Sequence, residues 1–130
     1  MRADIVWWDL SASGQTIESM REYLREESVA AFSAVPGLRF KMWLSDPDTN
    51  RWGAVLLWES DEASRQALPS RALELIGYPP AVAHGFDVEA TTEGRYATEQ
   101  LALQGLAFAE IADPCVRTQK TAPDPSRPPF

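Results

Sequence analysis

The chain has 130 residues and a formal net charge of −7, from 12 Lys and Arg against 19 Asp and Glu. This length predicts one domain with a sizeable core. The acidic balance argues against a protein that binds nucleic acids or anionic membranes, because those surfaces attract clustered Lys and Arg. No apolar run approaches the roughly 20 residues of a membrane span, and the N-terminus lacks a signal-peptide pattern, so we expect a cytoplasmic protein.

The first two predicted elements are a strand and a helix. Ile5 to Leu10 is apolar on both faces and is followed by Ser-Ala-Ser-Gly, which is typical of a strand and its end. From Thr16 to Ala34 charged residues occupy one side of a helical pattern, so we predict an amphipathic helix that lies on a sheet. Its apolar side recurs at helical spacing, at Ile17, Met20, Leu24 and Ala31.

A hairpin is predicted between Pro36 and Ser60. Leu38 to Ser45 and Trp52 to Glu59 are rich in apolar residues, and the segment 46–50, Asp-Pro-Asp-Thr-Asn, has the composition of a turn. The second of these strands is apolar on both faces, so both faces must be covered. The chain offers helices for only one of them, and we therefore predict a homodimer.

The last regular elements of the domain are a helix and a strand. Asp61 to Gly77 is predicted to be helical, with Ser60 as its N-terminal cap and a break at Pro69. Val82 to Ala90 alternates between apolar and other residues and is predicted to be the fourth strand. The order of elements predicts an α+β, ferredoxin-like βαββαβ fold, with a four-stranded antiparallel sheet and both helices on one face.

The C-terminal extension carries weaker signals. Residues 98–104 are predicted to form a short helix, and Leu106 to Ile111 an extra edge strand or an arm over the partner. We place the domain at residues 1–112 and a proline-rich tail at 113–130, whose composition is typical of a disordered peptide. The single cysteine, Cys115, has no internal disulfide partner, and a spare thiol is favoured over an intermolecular bridge.

Five tryptophans lie on or beside the predicted strands. Strand tryptophans usually belong to a core or an interface, but five in a chain of this size favour a cavity suited to a flat aromatic ligand. The sequence contains no metal or phosphate signature, so we predict neither a metal nor another cofactor. The candidate substrate-binding residues are Trp58, Trp43, Trp7, Tyr23, Tyr78 and Phe86.

His84 and Lys41 are the candidate catalytic residues. His84 lies on the apolar side of the fourth strand, where an imidazole could take a proton from a phenol or an enol; the alternative is a hydrogen-bonded structural histidine. Lys41 lies in the middle of a strand, where it could stabilise an enolate or a phenolate. The alternative is a lysine that reaches the sheet edge or pairs with Asp87 or Glu89.

Three stretches resemble the YdhR-like monooxygenase family: PGLRFKMW from Pro36, LWES from Leu57 and FDV from Phe86. The resemblance extends from about Ile5 to Ala90. The chain departs from the family at Leu56, where the family usually has a tyrosine, so no role for that hydroxyl carries over.

The resemblance implies a dimeric α/β barrel built from two copies, with a pocket between sheet and helices. It also implies that Trp58 borders the pocket, since the end of the third strand does so in related oxygenases. The implied function is a cofactor-independent monooxygenase that acts on an aromatic or polycyclic, polyketide-like intermediate. The alternatives are a cyclase or isomerase for the same substrates and a non-catalytic protein that binds small molecules. Fold alone does not decide among them.

Overall fold

The sheet has the predicted ferredoxin-like order. A computed structural model describes residues 1–96 and 101–111. Its four strands form one antiparallel sheet in the order β2-β3-β1-β4. The strands are β1 (Arg2–Asp9), β2 (Leu38–Asp46), β3 (Arg51–Trp58) and β4 (Val82–Asp87). The predicted α+β class and strand count are thereby confirmed, while β4 ends three residues before Ala90.

The helix layer begins with one continuous helical segment that contains a wider turn. This segment comprises α1 (Ile17–Tyr23), a π-helical turn (Leu24–Ser28) and α2 (Val29–Ser33). Thr16 starts it with a reciprocal cap, in which its hydroxyl accepts from the Ser19 amide at 3.0 Å and the Ser19 hydroxyl accepts from the Thr16 amide at 2.8 Å. The predicted extent is confirmed, but the π-helical turn is not apparent from the apolar spacing.

The second helical region is broken, as Pro69 predicts. It forms two short helices, α3 (Asp61–Ser64) and α4 (Ala72–Ile76), with no helix between them. The Ser60 hydroxyl caps α3 by accepting from the Ala63 amide at 3.0 Å. Gly77 ends α4 with a φ of 97°, a left-handed conformation that glycine adopts without steric cost.

The turn between β2 and β3 is held by the side chain that precedes it. The Asp46 carboxylate accepts from the Thr49 hydroxyl at 2.8 Å and from the Asp48 amide at 3.2 Å. Both hydrogen bonds favour the charged form, so the pKa of Asp46 lies below its ordinary value. The hairpin prediction is confirmed.

The C-terminal extension differs from its prediction. Leu106–Ile111 is a 3₁₀ helix, not an edge strand or an arm. It packs on the helix layer, because Ala107 and Phe108 join the apolar side of α1 and the Ala107 carbonyl accepts from Arg25 Nη1 at 2.9 Å. Residues 101–105 form no helix. The rest of that predicted helix, Cys115 and the predicted tail 113–130 lie outside the described residues.

Two buried clusters join the sheet to the helices. One contains Trp8, Leu10, Met20, Leu24, Trp52, Ile76 and Ala107, and the other contains Phe32, Ala54, Leu56 and Trp58. All their sheet residues lie on one face, since Trp8 is opposite Trp52 in the register of β1 and β3. We call this the covered face and the other the open face. Within residues 1–96 and 101–111, no helix is long and apolar enough to cross a membrane.

Candidate active site

A cavity of about 380 Å³ lies between the covered face and the helix layer. This volume falls within the range of small-molecule sites. The strand side of its lining is mainly apolar and aromatic, formed by Val6, Trp8, Trp43, Trp52, Ala54 and Leu56. The polar residues in the lining are few: Asp4, Tyr23, Ser28, Lys41, Ser70 and His84. The cavity therefore suits a flat apolar ligand with a small number of oriented polar groups.

The π-helical turn shapes the helix side of the cavity. Met20, Leu24, Ser28 and Phe32 are all buried and all line it, at intervals of four residues. A regular α-helix has about 3.6 residues per turn, so such a series drifts steadily around its surface. The wider turn at 24–28 reverses part of this drift and returns Phe32 to the cavity. Ala31, the predicted apolar position, is only half-buried because Phe32 replaces it.

Lys41 places its amine against two aromatic rings of this lining. Its Nζ lies 3.2 Å from the ring centroid of Phe32 and 4.5 Å from that of Trp43. The two rings meet edge to face, with centroids 5.9 Å apart and an interplanar angle of 85°. The amine is therefore held by packing on both sides of the cavity, from β2 and from α2.

Burial and the ring contacts act in opposite directions on the pKa of the Lys41 amine. Burial lowers its pKa from 10.5 to about 7, because an ammonium group loses hydration there. The two rings favour the ammonium and offset part of this effect. None of the ion pairs among residues 1–96 and 101–111 includes Lys41.

The alternative in which Lys41 pairs with Asp87 or Glu89 is wrong. Lys41 lies on β2 and Asp87 on β4, which are the two opposite edges of the sheet. Asp87 instead accepts from Arg2 Nη1 at 3.3 Å. The lysine is thus left facing the cavity with aromatic neighbours and no carboxylate partner within the described part of the chain.

Trp58 is wholly buried in the second cluster and does not line the cavity. Its indole Nε1 donates to Asp4 Oδ2 at 3.0 Å, which fixes a carboxylate that does line the cavity. Leu56 lies opposite both Asp4 and Lys41 in the strand register. Neighbouring strands are about 4.8 Å apart, so the backbones of Asp4 and Lys41 are separated by about 10 Å across the cavity floor.

The two candidate tyrosines have different positions. Tyr23 lines the cavity, and its hydroxyl accepts from the Arg71 amide at 2.8 Å, so its own proton can be donated to a ligand. Tyr78 packs on the first cluster, where its hydroxyl donates to the Asp9 carbonyl and its carbonyl accepts from Trp8 Nε1. Tyr78 therefore supports the cavity wall and does not line it.

The remaining candidates lie on the open face. The register places His84 opposite Ile5 and Phe86 opposite Ala3, and Trp7 alternates with the buried Trp8. The His84 and Phe86 rings stack at a tilt, with centroids 4.6 Å apart. The stretch 83–85 borders the cavity from β4, but alternation along the strand directs the imidazole of His84 away from the helices.

The structure thus sorts the sequence candidates into three groups. Lys41, Trp43 and Tyr23 meet at the cavity. Trp58 and Tyr78 lie behind its walls, whereas His84, Trp7 and Phe86 are on the other side of the sheet.

Sequence reasoning missed several lining residues, among them Asp4, Ser28, Phe32, Trp8 and Trp52. For Phe32 a signal was present, since it continues the four-residue series from Met20. Asp4 carries no such signal, because a carboxylate near a strand end is usually exposed.

Comparison with known proteins gives a structural likeness alone. No protein-family model matches the sequence, and no curated protein matches it. Among solved structures, the chain is similar to a variant of SnoaB, a cofactor-independent oxygenase from Streptomyces nogalater. The two share 18% identity over 69% of this chain and 94% of that chain, with a TM-score of 0.45. The fold assignment rests on the strand order and register of this chain.

The site can bind and orient a planar ligand, and it can transfer a proton. Its aromatic walls can stack on a planar ligand, the Lys41 amine can accept a proton or stabilise an anion, and Asp4 can accept a hydrogen bond. Within residues 1–96 and 101–111, no group of three His, Cys, Asp or Glu side chains is arranged to hold a metal ion.

Proposed function

We propose that this protein is an enzyme that binds a flat aromatic or polycyclic small molecule in the cavity and oxygenates it without a cofactor. The observation that supports this most directly is the Lys41 amine, which faces an aromatic cavity of about 380 Å³ with no carboxylate partner among the described residues. A phenol or an anthrone of polyketide type fits this lining, because it offers both an apolar plane and an acidic hydrogen.

In the proposed reaction the neutral Lys41 amine removes a proton from the substrate. The resulting enolate or phenolate is stabilised by the new ammonium group. The carbanion then reduces dioxygen and binds it as a peroxide, which loses water to leave a carbonyl. One oxygen atom enters the substrate and the other leaves as water, and a CH₂ group supplies all four electrons.

Lys41 takes the role that the sequence assigns to His84. The imidazole of His84 lies on the open face, whereas the amine of Lys41 lies in the cavity. Trp43 and Phe32 position the amine, and Tyr23 is placed to donate a hydrogen bond to a ligand oxygen. We assign no proton transfer to His84.

We also propose that the open face is covered by a second copy of the chain. Four large apolar side chains on this face are between 43% and 48% exposed: Phe40, Met42, Leu44 and Phe86. A patch of this kind on a sheet that is already covered on its other side is typical of an interface. The homodimer would close the two sheets into the predicted barrel.

A cyclase or isomerase is the second candidate, and Asp4 favours it. Its carboxylate is fixed by Trp58 on the opposite side of Leu56 from Lys41. Two proton-transfer groups about 10 Å apart could act at two positions of one polycyclic ligand. This reaction needs no dioxygen.

Oxygen uptake with an anthrone as the substrate tests the proposal. We expect one dioxygen consumed per anthrone converted to the quinone, and loss of this activity in Ala54→Phe, which fills the cavity from β3. Ala12→Phe, the same change at an exposed position, should keep it. Conversion without oxygen uptake would indicate a cyclase or isomerase, and saturable binding without conversion would indicate a binding protein; either result overturns the oxygenase.

A further inference from the structure

The chain uses its two kinds of cationic side chain very differently. Among its 12 Lys and Arg, the only lysines are Lys41 and Lys120. The arginines of the described residues include several in surface ion pairs, such as Arg21 with Glu18 and Arg65 with Asp61. Lys41 is the one lysine of residues 1–96 and 101–111, and it lines the cavity. A guanidinium stays protonated in proteins, whereas an amine can lose its proton and act as a nucleophile.

Desolvation in the cavity favours that nucleophilic form, because the walls next to Lys41 are the apolar side chains of Leu56 and Ala54. The rings of Phe32 and Trp43 hold its Nζ in place and offset part of this effect. The other ionisable residues of the lining are Asp4 on β1, Tyr23 on α1 and His84 on β4, and the imidazole of His84 lies on the open face. Burial lowers the pKa of Lys41 to about 7, so a substantial share of the amine is neutral at neutral pH.

We propose that Lys41 captures aromatic aldehydes and ketones as covalent imines in this cavity. The nitrogen lone pair attacks the carbonyl carbon to form a C–N bond, and the carbonyl oxygen takes up a proton to give a carbinolamine. This hydroxyl then leaves as water while the nitrogen loses its second proton, which gives a C=N bond with no change in oxidation state. A lysine desolvated in an apolar pocket is a known setting for this chemistry.

Two features of the cavity assist the capture. The Tyr23 hydroxyl lines the cavity and accepts its hydrogen bond from the Arg71 amide, so its proton is available to the leaving hydroxyl. The aromatic lining holds the ring of the carbonyl compound and limits the access of water to the imine. The ligand class is therefore a planar aromatic compound with an exposed aldehyde or ketone.

Reductive trapping tests the imine directly. The chain of residues 1–130 is incubated at neutral pH with 2-naphthaldehyde and cyanoborohydride, which reduces an imine to a stable secondary amine. We expect one adduct per chain, with the mass of the aldehyde less one oxygen atom, and peptide mapping should locate it on Lys41. Its formation should saturate with aldehyde and be at least about tenfold faster than labelling of Lys120 or the N-terminal amine.

Variants separate the nucleophile from the charge. Lys41→Arg keeps a cation in the cavity but should lose the saturable adduct, while Lys120→Arg should keep it. Because mapping identifies the labelled amine in the unmodified chain, the result does not depend on how Lys41→Arg folds. Labelling of Lys41 no faster than Lys120 overturns the imine. If the anthrone is still oxygenated in that case, the proton-transfer role of Lys41 stands alone.

Discussion

The two faces of the sheet carry similar aromatic content but opposite kinds of chemistry. The covered face presents Trp8, Trp43 and Lys41 to a cavity closed by helices. The open face presents Trp7 and His84 on the other side of the same strands. Successive residues of a strand point to opposite faces of the sheet. The difference shows that the face a side chain occupies, more than its intrinsic reactivity, decides whether it can act in the cavity.

A charge introduced at neighbouring positions of β3 gives the largest expected contrast between the faces. Leu56 is 4% exposed and faces the cavity, whereas Leu57 is half-buried and faces outward. Leu56→Asp should unfold the chain, because it removes a buried apolar side chain and buries a carboxylate beside Asp4 as well as Lys41. Leu57→Asp should keep the circular dichroism of the folded chain but reduce the mass in sedimentation from about twice 14.5 kDa to one copy. A folded dimer for Leu57→Asp would contradict the proposed interface.

The second contrast compares the two candidate bases on a substrate that is turned over. Lys41→Met should lower kcat by about 10²–10⁴-fold, the usual contribution of a positioned base, with a smaller change in KM. His84→Ala should change kcat by less than about threefold, since its ring lies on the other face. Oxygen uptake under identical conditions measures both. The reverse ranking would return the general base to His84 and require that the active cavity lie on the open face.

The pH dependence of stability gives a contrast of intermediate size. The folded pKa of Lys41 is below its unfolded value of 10.5, so the folded chain binds fewer protons between about pH 7 and pH 10.5. Stability should therefore rise with pH across this window, and the cost of a buried ammonium should be complete below pH 7. Lys41→Met removes this cost. Its gain over the unmodified chain in urea unfolding should be about 2–4 kcal/mol larger at pH 6 than at pH 10.

The exposed Arg39 on the same strand provides the control for that experiment. Arg39→Met should change the free energy of unfolding by less than about 0.5 kcal/mol at either pH. A pH-independent gain for Lys41→Met would mean that the rings hold the amine fully protonated in the folded chain.

The smallest contrast concerns two tryptophans on opposite faces. Trp58→Phe removes the indole donor to Asp4 and should cost about 1.5–3 kcal/mol, the usual range for a hydrogen bond to a carboxylate. Trp7→Phe removes no hydrogen bond recorded among the described residues and should cost less in a chain held monomeric by Leu57→Asp. Chemical denaturation of the two variants in that background measures the difference. Equal losses would show that the hydrogen bond contributes nothing.

The helix ends and the turn of this fold can be predicted from short stretches of the sequence. Thr16 and Ser60 mark helix starts through their hydroxyls, Gly77 marks a helix end, and Pro69 breaks the helix before it. The turn at Asp46 is equally local. Each of these depends on residues within four positions of one another, which a single sequence contains. The C-terminal 3₁₀ helix was missed because its position depends on contacts with α1, far away in the chain.

The site could be predicted only in part, because it depends on which face of each strand meets the helices. The alternation in β4 correctly groups His84 with Phe86, but nothing in that pattern says whether their face is the covered one. Lys41 and Trp43 were found through residue type, and their approach to Phe32 depends on the π-helical turn. Asp4 could not be predicted as a site residue, because its position depends on the tertiary contact with Trp58.

Because of the π-helical turn, the number of residues in this helix determines whether Phe32 reaches the cavity. A turn of this kind holds one more residue than an α-helical turn would. Deleting one residue within Leu24–Ser28 would allow a regular helix and would leave Phe32 at nearly the same angle to Met20. A regular helix formed without that deletion would instead rotate Phe32 by about 100° out of the cavity, and Lys41 would lose its nearer ring. In an alignment with related chains, a one-residue gap at this point would therefore mark a regular helix that presents the same residues to the cavity, and not the loss of the site.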